Sequence, residues 1–335
     1  MKKIAIVILN WNGAALLERF LPSVIAHSSE HANIYVADNG STDHSMPFLK
    51  SNFPSVKRIQ LDKNYGFAGG YNQALKALKE PLLCLMNSDI ATSEAWLKPM
   101  LEAFEVHPKL AIAQPKIKDE LNKTKFEYAG AAGGYLDQFG YPFCRGRIFQ
   151  SIEEDLGQYN DQKDIFWATG ACMFIRNTVF QELKGFDTDY FAHQEEIDLC
   201  WRAQNKGFNV KYIGGSVVYH LGGSTLSNMN PIKTYLNFRN SLFSLLKNLP
   251  LGTSIPLILA RLILDGVAGL RFIIQGNFRH CLAIIHAHGS FYSQARKMYR
   301  KNNAPKVSIK YYLIPSIVWL HYVKGLKKFS LLVKD

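Results

Sequence analysis

The sequence predicts an α/β protein with a mainly parallel central sheet, followed by a helical, basic C-terminal region. Three observations point there. Short apolar runs alternate with helical stretches from Ile4 to His220, the order that βαβ units require. The first run, Ile4–Leu9, is apolar at every position, as in a strand covered on both faces. Asp38 and Asp89 each fall just past such a run, at the sheet edge where open α/β sheets bind ligands.

The elements follow in order. Ala15, Leu16, Leu17, Phe20, Leu21, Val24 and Ile25 recur at helical spacing after the first strand. Asn33–Ala37 is a predicted strand that ends at the turn Asp38-Asn-Gly-Ser-Thr-Asp43. A helix is expected near 44–52 and a strand near 56–61, then a loop over 64–70, a helix over Tyr71–Leu78 and a strand over Pro81–Met86. That strand ends at Asn87-Ser88-Asp89, and Ser93–Phe104 reads as the next helix. Residues 110–176 are less regular, with Gly-rich and aromatic stretches such as Tyr128–Gly134, although Trp167–Ile175 reads as a strand. Gly185–Phe191 is an expected loop, Glu195–Asn205 a helix, and Val210–Tyr219 a strand running into His220. The pattern then turns helical, which sets expected domains at 1–225 and 226–335.

Composition narrows the class. With 335 residues, 47% hydrophobic and 20% charged, the chain is neither disordered, collagenous nor a coiled coil. Cys84, Cys144, Cys172, Cys200 and Cys281 are scattered and odd in number, which argues against a disulfide framework and for a reducing, cytoplasmic setting. The six-residue apolar run near the N-terminus lacks a small-residue cleavage site, so it reads as a strand and not as a signal peptide. Charge is uneven. From Lys233 onward 16 Lys and Arg face only Asp265 and Asp335, whereas the preceding residues hold 23 basic and 25 acidic side chains. A near-neutral body with a basic C-terminal third suggests an anionic surface as partner. No nucleic-acid module is recognisable, so no nucleic-acid partner is expected. Asn10-Trp-Asn-Gly13 follows the first strand in place of G-x-G-x-x-G, which argues against a dinucleotide oxidoreductase.

Four clusters carry possible chemistry. Short polar residues at Asn87-Ser88-Asp89 suit a hard cation that completes its shell with water and phosphate, or alternatively cap the next helix. Asp38 is placed to accept hydrogen bonds from a nucleoside, or else belongs to a turn in which Gly40 supplies positive φ. Glu195, Glu196 and Asp198 crowd three acids together, which raises at least one pKa and suits a general base. The same acids also favour a helix start, and Asp198 stands i, i+4 from Arg202 as a structural pair. His220, before Gly222-Gly223, is a candidate metal ligand beside glycines that let backbone approach a phosphate.

Taken in order, Asp38-Asn-Gly-Ser-Thr-Asp43, Asn64-x-Gly66-Phe-Ala-Gly-Gly-x-Asn72, Asn87-Ser-Asp89, Gly170-Ala171, Gly185-Phe-Asp187, Glu195-Glu-Ile-Asp198 and His220-x-Gly-Gly-Ser224 resemble the family 2 glycosyltransferases, in particular their rhamnosyltransferase-like branch. The resemblance runs from residue 4 to Arg239-Asn240. It implies the GT-A fold, a nucleotide-binding sandwich, and inverting transfer from a nucleoside-diphosphate sugar (dTDP, UDP or GDP) to a saccharide, possibly lipid-linked, in cell-surface polysaccharide synthesis. By that resemblance Asn10, Asp38, Asn39, Gly40, Asn64, Gly66, Phe67, Gly69, Asn72, Asn87 and Ser88 line the nucleotide-sugar pocket. Asp89 and His220 hold Mg²⁺ or Mn²⁺, Glu196 or its neighbour Glu195 is the base, and Gly170, Ala171 and Asp198 lie on the acceptor side. Two positions depart from the common pattern: Asn87 replaces the first Asp of Asp-x-Asp, and Glu196 replaces the Asp of Glu-Asp.

The C-terminal third is the expected membrane contact. In Leu249–Gly276, Arg261, Asp265 and Arg271 share one face of a predicted helix that is otherwise rich in Leu and Ile. Its apolar runs are too short to span a bilayer, so the expectation is an amphipathic helix lying in an anionic interface, at the inner face of the plasma membrane. Tyr311–Val323 with Lys324, Lys327 and Lys328, and the cluster Arg296, Lys297, Arg300 and Lys301, add aromatic and basic anchors.

Overall fold

The computed structural model describes residues 2–222, 230–305 and 309–333. The second half of the His220-x-Gly-Gly-Ser224 motif and the 225/226 boundary fall outside the described residues. The elements are β1 (Ile4–Asn10), α1 (Ala14–Ser28), β2 (Ala32–Asp38), α2 (Ser45–Asn52), β3 (Lys57–Gln60), α3 (Gly66–Leu75), β4 (Leu82–Asn87), β5 (Ile90–Thr92), α4 (Leu97–Val106) and β6 (Leu110–Asp119). Next come the short strands β7 (Gly134–Leu136), β8 (Pro142–Cys144), β9 (Arg147–Ile148), β10 (Ser151–Ile152) and β11 (Gln162–Asp164), then β12 (Cys172–Arg176), α5 (Asn177–Glu182), α6 (Glu195–Asn205) and β13 (Asn209–His220). The chain closes with α7 (Pro231–Asn248), α8 (Leu251–Ile274), α9 (Phe278–Arg300) and α10 (Ile317–Tyr322).

The main sheet has the order β11-β13-β6-β12-β4-β1-β2-β3, with β5 paired to β13. β1 runs parallel to β2 and β4, as do β2 with β3 and β13 with β6. β12 enters antiparallel between β4 and β6. Every side chain of β1 from Ile4 to Ile8 is buried, because helices cover both faces. α1 and α4 pack on one face, and α3, α6 and the C-terminal helices on the other. β1, β2 and β4 end together, which brings Asn10, Asp38 and Asn87 to one edge.

Three elements differ from the sequence expectation. The helix expected from Tyr71 begins at Gly66, because Asn64 Oδ1 accepts from the Gly66 amide and starts the turn. The strand expected over Trp167–Ile175 is confined to Cys172–Arg176, since Trp167 instead bridges Gly134. The irregular region holds one long central strand, β6, whose pattern is broken by Gln114 and Lys116. Both are buried: Gln114 takes the Thr169 amide at 3.0 Å, and Lys116 pairs with Asp155 at 3.0 Å.

The C-terminal helices share the body's core. Leu242, Phe243, Phe291, Ile314 and Ile317 belong to one apolar cluster with Leu83, Met173 and Trp201. Tyr311 stacks on Trp201 with 5.0 Å between ring centres, and the Leu313 amide bonds Leu136 O at 2.9 Å. Of the three charges that share one face of α8, Arg261 and Asp265 are buried against the body, and Arg271 is exposed. Among the described residues no helix is long and apolar enough to cross a membrane.

Candidate active site

At the β1/β2 end, side chains are tied into a rigid cradle. Asn10 Nδ2 donates to Asp38 Oδ1 at 3.0 Å and to Ser41 Oγ at 3.2 Å, and the Ser41 amide donates to Asp38 Oδ2 at 3.1 Å. Asn39 Nδ2 donates to Asn64 Oδ1 and Gly66 O, both at 3.0 Å, while its Oδ1 accepts from the Tyr65 amide at 2.9 Å. Gly40 has φ +73°, and a Cβ there would lie 2.6 Å from the Lys63 carbonyl carbon, so the two loops meet backbone to backbone. Ser88 sits beside Gly13, next to Asn10. Phe67 lies against Gly170, where a Cβ would meet its ring at 2.9 Å. The Asn87 amide is held by Ala171 O at 2.9 Å. Asn10, Asp38, Asn39, Gly40, Asn64, Gly66, Phe67, Ser88, Gly170 and Ala171 thus come together along one edge.

The strand ends of β4 and β13 bring Asp89 to His220. His220 Nε2 lies 3.1 Å from Asp89 Oδ1 and 3.4 Å from Asn87 Nδ2. On the far side, His220 Nδ1 lies 3.3 Å from Glu127 Oε2. All three ionisable residues are buried. Burial opposes charge on the imidazole, but the two carboxylates outweigh it and push its pKa up to about 10, so the ring takes a cation only by giving up its Nε2 proton to it. Glu127 was missed in the sequence. It fixes the ring the way an outer carboxylate orients a metal-bound histidine, leaving Nε2 turned toward Asp89. One carboxylate and one imidazole, with Asn87 beside them, suit Mg²⁺ or Mn²⁺ if phosphate and water supply the other ligands. Among the described residues no group of three or more His, Cys, Asp and Glu could hold a metal by itself.

The acids of α6 form the third cluster. The loop before it carries positive φ at Phe191, His193 and Gln194, strain of the kind that gathers at functional sites. Asn240 Nδ2 holds that loop by donating to Tyr190 O, Ala192 O and His193 O at 2.7–3.0 Å. Phe191 presses its carbonyl and ring against Gly66, so the loop reaches the start of α3. Glu195 Oε2 and Glu196 Oε2 are buried with no hydrogen-bond partner among the described residues. Burial drives the Glu196 pKa up to about 7, although backbone amides pull it down. Burial, then the adjacent Glu196 charge, drives the Glu195 carboxyl well above the usual carboxylate range. Arg147, also missed, donates to Cys144 Sγ at 3.4 Å and lies 4.4 Å over the Tyr128 ring.

Three sequence candidates stand apart. Asn72 spends both ends of its amide on the Phe186 backbone, at 2.8 and 2.9 Å, and so braces the 185–187 turn. Asp198, expected on the acceptor side, is fully enclosed by Arg202 and Lys247 at 2.8 Å, Asn248 at 3.0 Å and the Tyr190 hydroxyl at 3.3 Å. Burial opposes its charge, but Lys247 and Arg202 hold its carboxyl well below the usual range. It ties α6 to α7. Gly69 packs against Tyr65 and Thr188 inside α3.

Polar side chains tied together at the β1/β2 edge, a carboxylate–imidazole pair at the ends of β4 and β13 and a buried acid pair at the start of α6 make up the candidate site, and solved structures share the fold that carries it. Staphylococcus aureus TarS (residues 1–349, with UDP-GlcNAc) superposes with a TM-score of 0.58 at 14% identity, over 90% of this chain and 89% of that one. The Pyrobaculum calidifontis mannosyltransferase PcManGT, solved with GDP-Man and Mn²⁺, gives 0.54 at 12% over 87% of both. GalNAc-T7, solved with UDP, GalNAc and Mn²⁺, gives 0.58 at 14%, the match spanning 74% of this chain and 48% of that one. The fold is GT-A. The glycosyl transferase family 2 profile matches residues 5–184, and the chain belongs to that family. Among its relatives is the N-acetylglucosaminyl-diphospho-decaprenol L-rhamnosyltransferase of Mycobacterium tuberculosis, 22% identical over 229 residues, 64% of this chain and 75% of that one. Rhamnosyltransferase WbbL of Escherichia coli is 26% identical over 156 residues, 44% and 58% of the two chains. The protein is a glycosyltransferase of the rhamnosyltransferase-like branch.

Proposed function

We propose that the protein transfers a sugar, with inversion, from a nucleoside-diphosphate donor to a lipid-linked saccharide at the inner face of a membrane, in a divalent-cation-dependent step of cell-surface polysaccharide synthesis. The observation that carries this is the buried Asp89–His220–Glu127 chain at the strand ends, together with the buried carboxylate oxygens of Glu195 and Glu196 at the start of α6, which have no hydrogen-bond partner among the described residues. Asp38, with Asn10 and Asn39 holding it and its loop, receives the nucleoside. Asp89 and His220 hold Mg²⁺ or Mn²⁺, which when bound neutralises charge on the diphosphate leaving group. Glu127 keeps the His220 ring turned. Glu195 is the more deeply buried acid and stays protonated, leaving Glu196 as the base. Glu196 removes the proton of the acceptor hydroxyl as its oxygen bonds to C1 of the sugar and the C1–diphosphate bond breaks. Single displacement on the opposite face inverts C1.

The lipid-linked acceptor draws support from the mycobacterial relative, whose name places a diphospho-decaprenol on its acceptor. The basic C-terminal third supports an anionic membrane surface as partner. A thermal-shift panel of UDP, dTDP, GDP and CDP, with and without Mn²⁺ or Mg²⁺, tests the donor site on wild type and Asp89→Ala. Diphosphate at ~100 times its dissociation constant stabilises by about 2.7 kcal/mol. A metal-dependent shift with one base, lost in Asp89→Ala, is expected. A folded wild type that shifts with none refutes the reading.

A further inference from the structure

We propose that the exposed face of α8 is the membrane-docking face, and that α8 lies in the plane of an anionic bilayer with this face buried in it. The inference deepens the membrane placement proposed above and rests on it.

The polarity of α8 is inverted relative to a surface helix. Its protein-facing stripe is Ser254, Ile258, Arg261, Asp265 and Gly269, all buried. Its solvent-facing stripe is Ile255, Leu259, Ile263, Val267, Leu270 and Ile274, from 50% to 86% exposed. A water-exposed helix carries the opposite pattern. At about 1.5 Å per residue the helix extends about 36 Å, so the stripe is far longer than a scattered surface residue accounts for.

A buried polar network sets the rotation. Arg261 Nε donates to Asp265 Oδ1 at 2.9 Å, and its Nη2 donates to Ser241 Oγ at 2.9 Å. Arg261 Nη1 reaches Phe139 O at 3.1 Å, from the α/β body. His288 Nε2 of α9 lies 2.9 Å from Asp265 Oδ2, and the Tyr141 hydroxyl donates to Asp265 Oδ1. Rolling the apolar stripe inward would strand these charges, so the network holds it outward.

Charge selects the occupant. Arg271, Arg279, Lys324, Lys327 and Lys328 are exposed near the C-terminal end of the helix or on the segment that packs there; Arg271 lies 4.1 Å over the Tyr322 ring of α10. From Lys233 onward the one acid among the described residues is Asp265, which is buried. A second copy would therefore bring basic surface to basic surface, whereas an anionic leaflet complements it. With Arg261 and Asp265 in its middle, and with no helix among the described residues both long and apolar enough to span, α8 lies along the interface.

The test is co-sedimentation of the full chain with phosphatidylcholine vesicles, with and without about one-third phosphatidylglycerol. Variants are Ile263→Glu/Val267→Glu, Ile274→Glu as a single exposed change that spares folding, and Val106→Glu on the opposite sheet face as control. Wild type and Val106→Glu should bind anionic vesicles, more weakly at high salt. The double variant should bind about 100-fold more weakly, from lost apolar insertion, with an unchanged melting temperature. Equal binding by all variants overturns the face assignment and leaves membrane association standing. A wild type that binds no vesicle overturns both. A lipid-free dimer that the double variant dissolves gives the face to a second copy, and also overturns the proposal.

Discussion

Replacing Glu196 by glutamine separates the base from its structural cost. The side chain keeps its shape and loses its charge. In the folded protein burial raises the Glu196 pKa from 4.5 to about 7. Its contribution to stability is therefore full below the unfolded value and lost as pH rises through about 7. Each unit is 1.36 kcal/mol, so ionising Glu196 in place at pH 8 costs the fold roughly 3 kcal/mol, shared with the coupled Glu195. Glu196→Gln escapes that cost. At about 2.1 cal/mol/K per residue of unfolding entropy, a chain of this length converts 3 kcal/mol into a melting-temperature rise of roughly 4 °C. The rise should appear at pH 8 and nearly vanish at pH 5, where wild-type Glu196 is already protonated. Transfer should fall by about 10²–10⁴-fold, and wild-type activity should climb with pH through about 7 as the base ionises. Scanning calorimetry at both pH values, beside a donor-turnover assay, reads both effects. A variant no more stable at pH 8, with near-wild-type turnover, would refute the assignment and move the base to Glu195.

Two more outcomes follow from the same geometry. Glu127→Gln removes the carboxylate that orients His220 and should weaken Mn²⁺ affinity about 10–100-fold with the fold intact, measured by titrating the metal against the nucleoside-diphosphate thermal shift. Asp198→Ala leaves Lys247 and Arg202 buried without their shared carboxylate and should cost about 3–5 kcal/mol in chemical denaturation. Because the Asp198 pKa is lowered by folding, its stabilisation is present above the ordinary carboxylate range and lost as pH falls below it.

Much of the α/β body was legible because its signals are local. A run such as Ile4–Leu9 with no polar face specifies a doubly covered strand, and Asp38 and Asp89 stand where such runs stop. β6 was not legible because Gln114 and Lys116 interrupt its apolar pattern, and the partners that permit their burial, Thr169 and Asp155, lie 55 and 39 residues away. Glu127 was hidden for the same reason: its meaning depends on His220, 93 residues further on, and nothing around Phe126 or Tyr128 marks it. Asp198 was placed in the right cluster, but only its enclosure by α7 separates it from Glu195 and Glu196.

By itself the sequence determined the strand-and-helix alternation, the edge that carries the polar clusters, the family resemblance and the basic C-terminal third, because periodicity, residue type and charge are written along the chain. Tertiary structure alone decided which acids are free to take a proton, which carboxylate turns His220, and which way α8 faces. A helical wheel places Arg261 and Asp265 on one side without saying whether that side meets water or protein. Ser241, Phe139, Tyr141 and His288, from three distant parts of the chain, settle it by satisfying those charges inside, and the apolar side is left outward.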